Sequence, residues 1–203
     1  MNIDFLLTSL IVVASPGTGA LYTIASGLSR GVRVGVVAAF GCTLGIIPHM
    51  VAAVMGIAAV FNTSPMAFDI VKYAGVAYLI YMALMTLKEN GPLQIDEKSE
   101  TQSTLKIIVS AILLNLLNPK LPIFFLAFLP QFVDMNEPHP AAHMLNLSAT
   151  FMLMTFMVFA LYGTFAAFMR SHVLSTPRIL KWMQITFASG FVGLAVKLAA
   201  SHR

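Results

Sequence analysis

A lysine, two asparagines and three prolines are set into one apolar run, Asn115-Leu-Leu-Asn-Pro-Lys-Leu-Pro-Ile-Phe-Phe-Leu-Ala-Phe-Leu-Pro-Gln-Phe132. The run is apolar enough to cross a bilayer. Counted from Leu105 at ~1.5 Å per residue, Lys120 lies about 22 Å along the span. An ammonium at that depth costs about 2.5–3.5 kcal/mol on insertion scales, so such a lysine marks a functional site by default. Asn118-Pro119 reads as an N-cap followed by a first-turn proline, the opening of a new helical segment. Irregular backbone at membrane depth persists only against protein or a watery cavity. A broken helix beside a binding site is therefore expected. Ser15-Pro16-Gly17 repeats the device in the first apolar run.

Each restarted helix offers free backbone N–H groups and the positive end of its dipole toward its break, an environment for a carboxylate. We expect the two breaks to face each other near midplane and to hold the carboxylate of a small zwitterion. The substrate-contacting set is Ser15, Pro16, Gly17, Thr18, Asn115, Asn118, Pro119 and Lys120. Within it, Lys120 adds a full positive charge, and Asn115 and Asn118 are the candidates for the ammonium or the side chain. The plainer alternatives are two unrelated proline kinks and a lysine that snorkels to one surface.

His49 is the only histidine deep in an apolar run, and no Asp or Glu lies near the middle of any. Proton coupling by an intramembrane side chain thus has one titrating candidate, His49, set against an equal reading in which it bonds a neighbouring helix. Pro48 should kink that same run. Gly31/Gly35 and Gly41/Gly45 fit the small-xxx-small pattern of close helix approach, compatible with a homodimer and equally with packing inside one chain. Tyr162 reads as pathway lining or, more often for such spacing, as core. Catalytic residues are absent: no GxSxG, HExxH or P-loop occurs, so the chain does not read as an enzyme. The one cysteine, Cys42, excludes an intrachain disulfide and a multi-cysteine metal site, and no cofactor is called for.

The elements that position these residues are membrane helices. Of 203 residues, 58% are apolar and 10% charged, with a mean hydropathy of +0.84. Soluble domains average about 25% charged, so much of this surface must face lipid. The net charge of +4 then reports topology rather than nucleic-acid binding. No Lys or Arg precedes Arg30, so the charged region of a signal peptide is missing and Phe5 onward reads as a permanent span. Runs long enough to span occur at about Phe5–Leu28, Val34–Val60, Ile70–Leu87, Leu105–Phe132, Ala142–Met169 and Ile179–Ala200.

The expected fold is all-α and integral to the membrane, six transmembrane helices in a single domain, residues 1–203. Residues 1–87 and 105–203 form two three-helix repeats joined by the polar linker 88–104. Arg30, Arg33, Lys88, Lys98, Lys106, Arg170, Arg178 and Lys181 fall in the loops after the first, third and fifth spans, while Lys72, Lys197 and Arg203 fall near the opposite boundaries. By the positive-inside rule the linker is cytoplasmic and both termini face outward. The repeats are then inverted, with matching breaks in the first and fourth helices, a pattern that points to a transporter site.

Three stretches carry a resemblance to a known family. Ser15-Pro16-Gly17 with Gly27-Leu-Ser-Arg-Gly-Val-Arg-Val-Gly35 is similar to its first-helix signature and following turn. Phe68 to Met82, with Lys72-Tyr-Ala-Gly-Val-Ala-Tyr-Leu-Ile-Tyr81, resembles its third-helix pattern. Asn115-Leu-Leu-Asn-Pro-Lys120 through Phe128-Leu-Pro-Gln-Phe132 is similar to its fourth-helix signature and is the most specific of the three. The chain resembles, over nearly its whole length, the lysine-exporter (LysE/RhtB) superfamily of bacterial amino-acid translocators. That resemblance implies proton-driven export of amino acids or close derivatives across the bacterial inner membrane, with periplasmic termini here. Pro16, Gly17, Asn118, Pro119 and Lys120 stand on matching motif positions. Thr18 and Gly19 depart from them, standing where the family continues with a second proline and an amide. The rival readings are an exporter of another solute, such as a metal cation, and a membrane scaffold or accessory subunit. The first lacks intramembrane acids or clustered thiols to bind a cation.

Overall fold

The computed structural model describes residues 2–15, 17–61, 103–118, 120–134 and 137–169, with scattered helical positions between 70 and 84 and between 185 and 200. Among the described residues all regular structure is helical: α1 (Ile3–Ala14), α2 (Thr18–Arg30), α3 (Val32–Leu44), α4 (Ile47–Phe61), α5 (Thr104–Leu116), α6 (Lys120–Phe132) and α7 (Pro140–Phe168). The expected third and sixth spans are described only at scattered helical positions. Pro16, Pro119, Trp182 and linker residues 88–102 lie outside the described residues.

Local chemistry sets the helix ends. Asn2 caps α1 by accepting from the Asp4 amide at 2.9 Å, with Asp4 in the first turn where the dipole favours an acid. Ser103 caps α5 through the Lys106 amide at 3.3 Å. A single residue, Gly31, turns the chain from α2 into α3 at φ 86°, a backbone region open chiefly to glycine. The sequence pattern offered Gly31 as a packing glycine; it is instead the hairpin turn, and none of the described residues lies within 4 Å of where its Cβ would be.

Among the described residues two helices are long and apolar enough to cross a membrane: Val32–Gly56, 25 residues through α3 and most of α4, and Pro140–Phe168, 29 residues. Two further pairs qualify if each bent pair is one span, α1 with α2 bent by 57° and α5 with α6 bent by 54°. The expected breaks in the first and fourth runs are thus present. In the second run the irregularity lies at Gly45–Ile46 rather than at Pro48 itself. Pro48 has no N–H to donate to the Leu44 carbonyl, so the preceding turn tightens and the Ile46 amide bonds Thr43 at 3.1 Å.

Helix α6 changes pitch twice, from an α turn at Lys120–Ile123 to a π turn at Phe124–Phe128 and a 3-10 turn at Leu129–Phe132. Pro130 cannot donate within the helix, and the wider turn, with the Leu129 amide on the Phe124 carbonyl, carries the backbone past it. The Gln131 side chain then donates to the Ala127 carbonyl at 2.7 Å. Phe124 stacks on Phe151 of α7 with ring centroids 4.2 Å apart, and Phe132 meets Phe5 of α1 edge-on at 5.3 Å. These rings fix α6 against α1 and α7.

Elsewhere the helices meet backbone to backbone. Gly27 of α2, Gly35 of α3 and Gly163 of α7 converge, so that a Cβ on Gly27 would overlap the Gly163 carbonyl and one on Gly35 would lie 3.0 Å from the Gly163 Cα. On α3, a Cβ on Gly41 would be 2.7 Å from the Ala111 Cβ, and one on Gly45 would be 2.8 Å from the Ile112 carbonyl oxygen, both on α5. Gly35, Gly41 and Gly45 therefore serve packing within the chain. On its outer face α7 shows Leu153, Met157, Leu161 and Phe165 at four-residue spacing, each more than half exposed. An apolar exterior over an apolar core is what a lipid-facing helix requires.

Gly27→Ala should cost about 1–3 kcal/mol or more, because the obstacle is backbone that has no rotamer to change. Gly56→Ala, which meets nothing within 4 Å among the described residues, should be neutral or stabilising by the ordinary helix preference of alanine, about 0.5–1 kcal/mol. Melting of the detergent-solubilised protein separates the two, and equal Tm values would discard the three-glycine contact.

Candidate functional site

Helix α1 ends at Ala14, leaving its last carbonyls without partners inside the helix. Groups from far along the chain meet them. Lys120 Nζ donates to the Val12 carbonyl at 2.8 Å, to the Ser15 carbonyl at 3.1 Å and to Ser15 Oγ at 3.4 Å, across 105 to 108 positions of sequence. Ser15 Oγ itself donates to the Val12 carbonyl at 2.7 Å. The Tyr162 hydroxyl donates to the Ala14 carbonyl at 2.7 Å. Lys120 is only 5% exposed, and among the described residues no carboxylate pairs with it. Its charge is met by backbone oxygens at the negative end of the α1 dipole. The side chain runs into the protein, so it does not snorkel to a surface.

On the other side of the first break α2 restarts with Gly17 as its N-cap, and no side chain caps its first-turn amides. A Cβ on Gly17 would lie 3.4 Å from both Asn118 Nδ2 and Lys120 Nζ. The two breaks are therefore in contact. At the second break, Asn118 Oδ1 accepts from the Lys120 amide at 3.1 Å, the capping bond its place before Pro119 called for.

Both asparagines are buried, and each has protein partners. Asn115 Nδ2 donates to the Cys42 carbonyl at 2.6 Å, tying α5 to α3, and Asn118 Nδ2 donates to Asn115 Oδ1 at 3.2 Å. Gly19 makes room for this pair, because a Cβ there would lie 2.7 Å from Asn115 Oδ1 and 3.1 Å from the Phe159 ring. Where the resembled family places an amide at Gly19, this chain leaves a gap that the Asn115 amide approaches from the opposite helix.

The structure thus brings Ser15, Gly17, Asn118 and Lys120 together, with Asn115 joined through Asn118. The Thr18 hydroxyl donates away from them, to the Leu114 carbonyl at 3.2 Å. Pro16 and Pro119 lie outside the described residues. His49 stands beside the backbone carbonyls of Asn115 and Leu116 at the end of α5, and its Nε2 is buried with no hydrogen-bond partner among the described residues. No group of three His, Cys, Asp or Glu suited to a metal occurs among the described residues. Sequence reasoning left the Tyr162 hydroxyl without a role. The signal was its hydroxyl in an apolar run, which must find a partner when buried.

Two bent apolar helix pairs meeting at their breaks around a buried ammonium, inside an apolar exterior, define a helical membrane transporter. The chain belongs to the LysE type translocator family, whose model matches residues 10–202. It is 32% identical over 197 residues to an uncharacterized membrane protein of Vibrio cholerae, covering 97% of this chain and 95% of the relative. It is 31% identical over 198 residues to the homoserine/homoserine lactone efflux protein of Salmonella typhimurium and 30% identical over 198 residues to that of Salmonella typhi, covering 98% of this chain and 95% of each. No solved structure matches it. Membership of this family makes the chain a membrane translocator and not an enzyme.

Proposed function

We propose that this protein is a secondary transporter that exports amino acids or close derivatives from the cytoplasm across the bacterial inner membrane. It works by alternating access and draws on the proton gradient. In this reading residues 1–203 form one domain of six transmembrane helices. Inverted three-helix repeats, 1–87 and 105–203, flank a cytoplasmic linker, and both termini are periplasmic. The near-equal bends of α1–α2 and α5–α6 support the paired breaks that such repeats require, and the basic residues of the loops support the orientation.

Ser15, Pro16, Gly17, Thr18, Asn115, Asn118, Pro119 and Lys120 line the substrate site, with Lys120 and the uncapped start of α2 for the carboxylate and the two amides for the ammonium or the substrate side chain. His49 is the proton-coupling group, its buried Nε2 having no hydrogen-bond partner among the described residues. The Salmonella relatives favour an amino acid or its lactone over a metal cation as cargo. The observation that carries the reading is the Lys120 ammonium, buried at the contact of two broken helices with no carboxylate partner among the described residues.

Cells loaded with dipeptides provide the test. Release of each amino acid is followed with the wild-type chain, with Lys120→Ala at matched membrane levels and with no transporter. Selective release of one or a few amino acids, lost at least tenfold in the variant, is the expected result. A panel indistinguishable from the control would overturn amino-acid export, and full release by Lys120→Ala would keep the exporter and discard this site.

A further inference from the structure

A lysine ammonium carries three N–H donors and no acceptor. In the first break it finds three oxygens, the Val12 carbonyl at 2.8 Å, the Ser15 carbonyl at 3.1 Å and Ser15 Oγ at 3.4 Å. These sit at the negative pole of α1 in a buried site, and among the described residues no acid shares them. The set would fit any primary ammonium equally well. The two asparagines are less suited to that task, since Asn118 Oδ1 already accepts from the Lys120 amide and Asn115 Oδ1 from Asn118 Nδ2.

We propose, resting on the exporter reading above, that the carbonyl cradle of Val12 and Ser15 is the receptor for the primary ammonium of the substrate, and that Lys120 occupies it as an internal stand-in. Two ammonium groups cannot share three oxygens. The incoming substrate therefore unseats Lys120, whose Nζ already lies 3.4 Å from the Cβ position of Gly17, the uncapped N-cap of α2. There the freed lysine and the α2 amides meet the substrate carboxylate. One break thus presents both poles that a zwitterion needs, the carbonyl end of α1 for the ammonium and the amide end of α2 for the carboxylate. The ligand class is a primary amine with an acidic group beside it, and a secondary amide in place of the amine is rejected.

Binding to the purified full-length protein in lipid nanodiscs tests this, using matched triplets of common L-amino acids: free acid, methyl ester and N-acetyl derivative, at a mildly acidic pH where the amines are charged. In the wild type the free acid should bind at least tenfold more tightly than either derivative. In Lys120→Met, acid and ester should bind within about threefold of each other, since the carboxylate partner is gone, while the free amine of the ester still binds more tightly than the N-acetyl acid. Ser15→Ala, which keeps Lys120, should reduce the preference for amine over N-acetyl and leave the preference for acid over ester unchanged. Equal binding of amine and N-acetyl forms by the wild type, or binding that requires sodium in place of an amine, would overturn the cradle. So would an unchanged amine preference in Ser15→Ala, or a failure of every triplet to bind. If amino acids are exported but acetylation does not weaken binding, the exporter stands and the cradle falls. If primary amines bind selectively but none is exported, the cradle stands and the exporter falls.

Discussion

Lys120→Met is expected to leave the protein folded and to slow transport at least tenfold. The two halves of this expectation follow from terms of opposite sign. Removing the ammonium leaves the Ser15 carbonyl short of a donor, at about 1–3 kcal/mol for a buried acceptor, while the Val12 carbonyl keeps the one from Ser15 Oγ. It also removes the cost of holding a charge at membrane depth, about 2.5–3.5 kcal/mol on insertion scales. Methionine has nearly the length of lysine and fills gaps readily, so packing changes little. The terms roughly cancel, and Tm should move by no more than a few degrees. Transport has no such offset. A lost charge-assisted contact to a substrate carboxylate is worth roughly 1.5–3 kcal/mol, a factor of about 10 to 150 in rate or affinity. Melting curves and initial export rates, normalised to folded protein, check both halves together. A collapse of Tm with normal export per folded molecule would make Lys120 a structural clamp between the breaks and nothing more.

That the breaks exist was legible in the sequence because it depends on neighbours. Asn118 before Pro119 and Ser15 before Pro16 specify where helices restart, and the observed bends of 54° and 57° lie there. Counting residues into the run placed Lys120 away from its ends, and the side chain is buried in the protein. Its acceptors did not, since they are backbone carbonyls 105 to 108 positions away and every residue type carries one. The Asn115 bond to the Cys42 carbonyl escaped for the same reason. Small-residue spacing found Gly35, Gly41 and Gly45 but placed Gly31 with them, because spacing cannot separate a contact from a turn. A glycine directly after Arg30 at a helix end was the better sign, the position where positive φ is common. Gly19 could be recognised as a departure from the family pattern, yet its use emerges only with α5 beside it, where the Asn115 amide lies against the missing side chain.

His49→Gln should abolish accumulation driven by a pH gradient and spare exchange of substrate across the membrane. Driven transport needs a group that binds a proton on one side and loses it on the other, whereas exchange needs only the substrate site to alternate. Histidine meets the first need because its charge changes near physiological pH, and in this chain the ring stands beside the Asn115 and Leu116 carbonyls, next to the asparagine pair of the second break. A neutral ring has one donor and one acceptor nitrogen, and Nε2 is buried without a hydrogen-bond partner among the described residues. An unpaired buried polar atom costs about 1–3 kcal/mol, a cost relieved by a water or, at a bare ring nitrogen, by a proton. Glutamine keeps a donor and an acceptor of similar reach but cannot titrate, so it tests the proton rather than the shape. One coupled proton and a one-unit gradient support about a tenfold concentration ratio, since one pH unit is worth about 1.4 kcal/mol. In proteoliposomes the wild type should approach that ratio, and His49→Gln should equilibrate without concentrating while exchanging labelled for unlabelled substrate at a near-normal rate. Tenfold accumulation by the variant would remove His49 from coupling, and loss of exchange along with accumulation would assign it to the architecture of the second break.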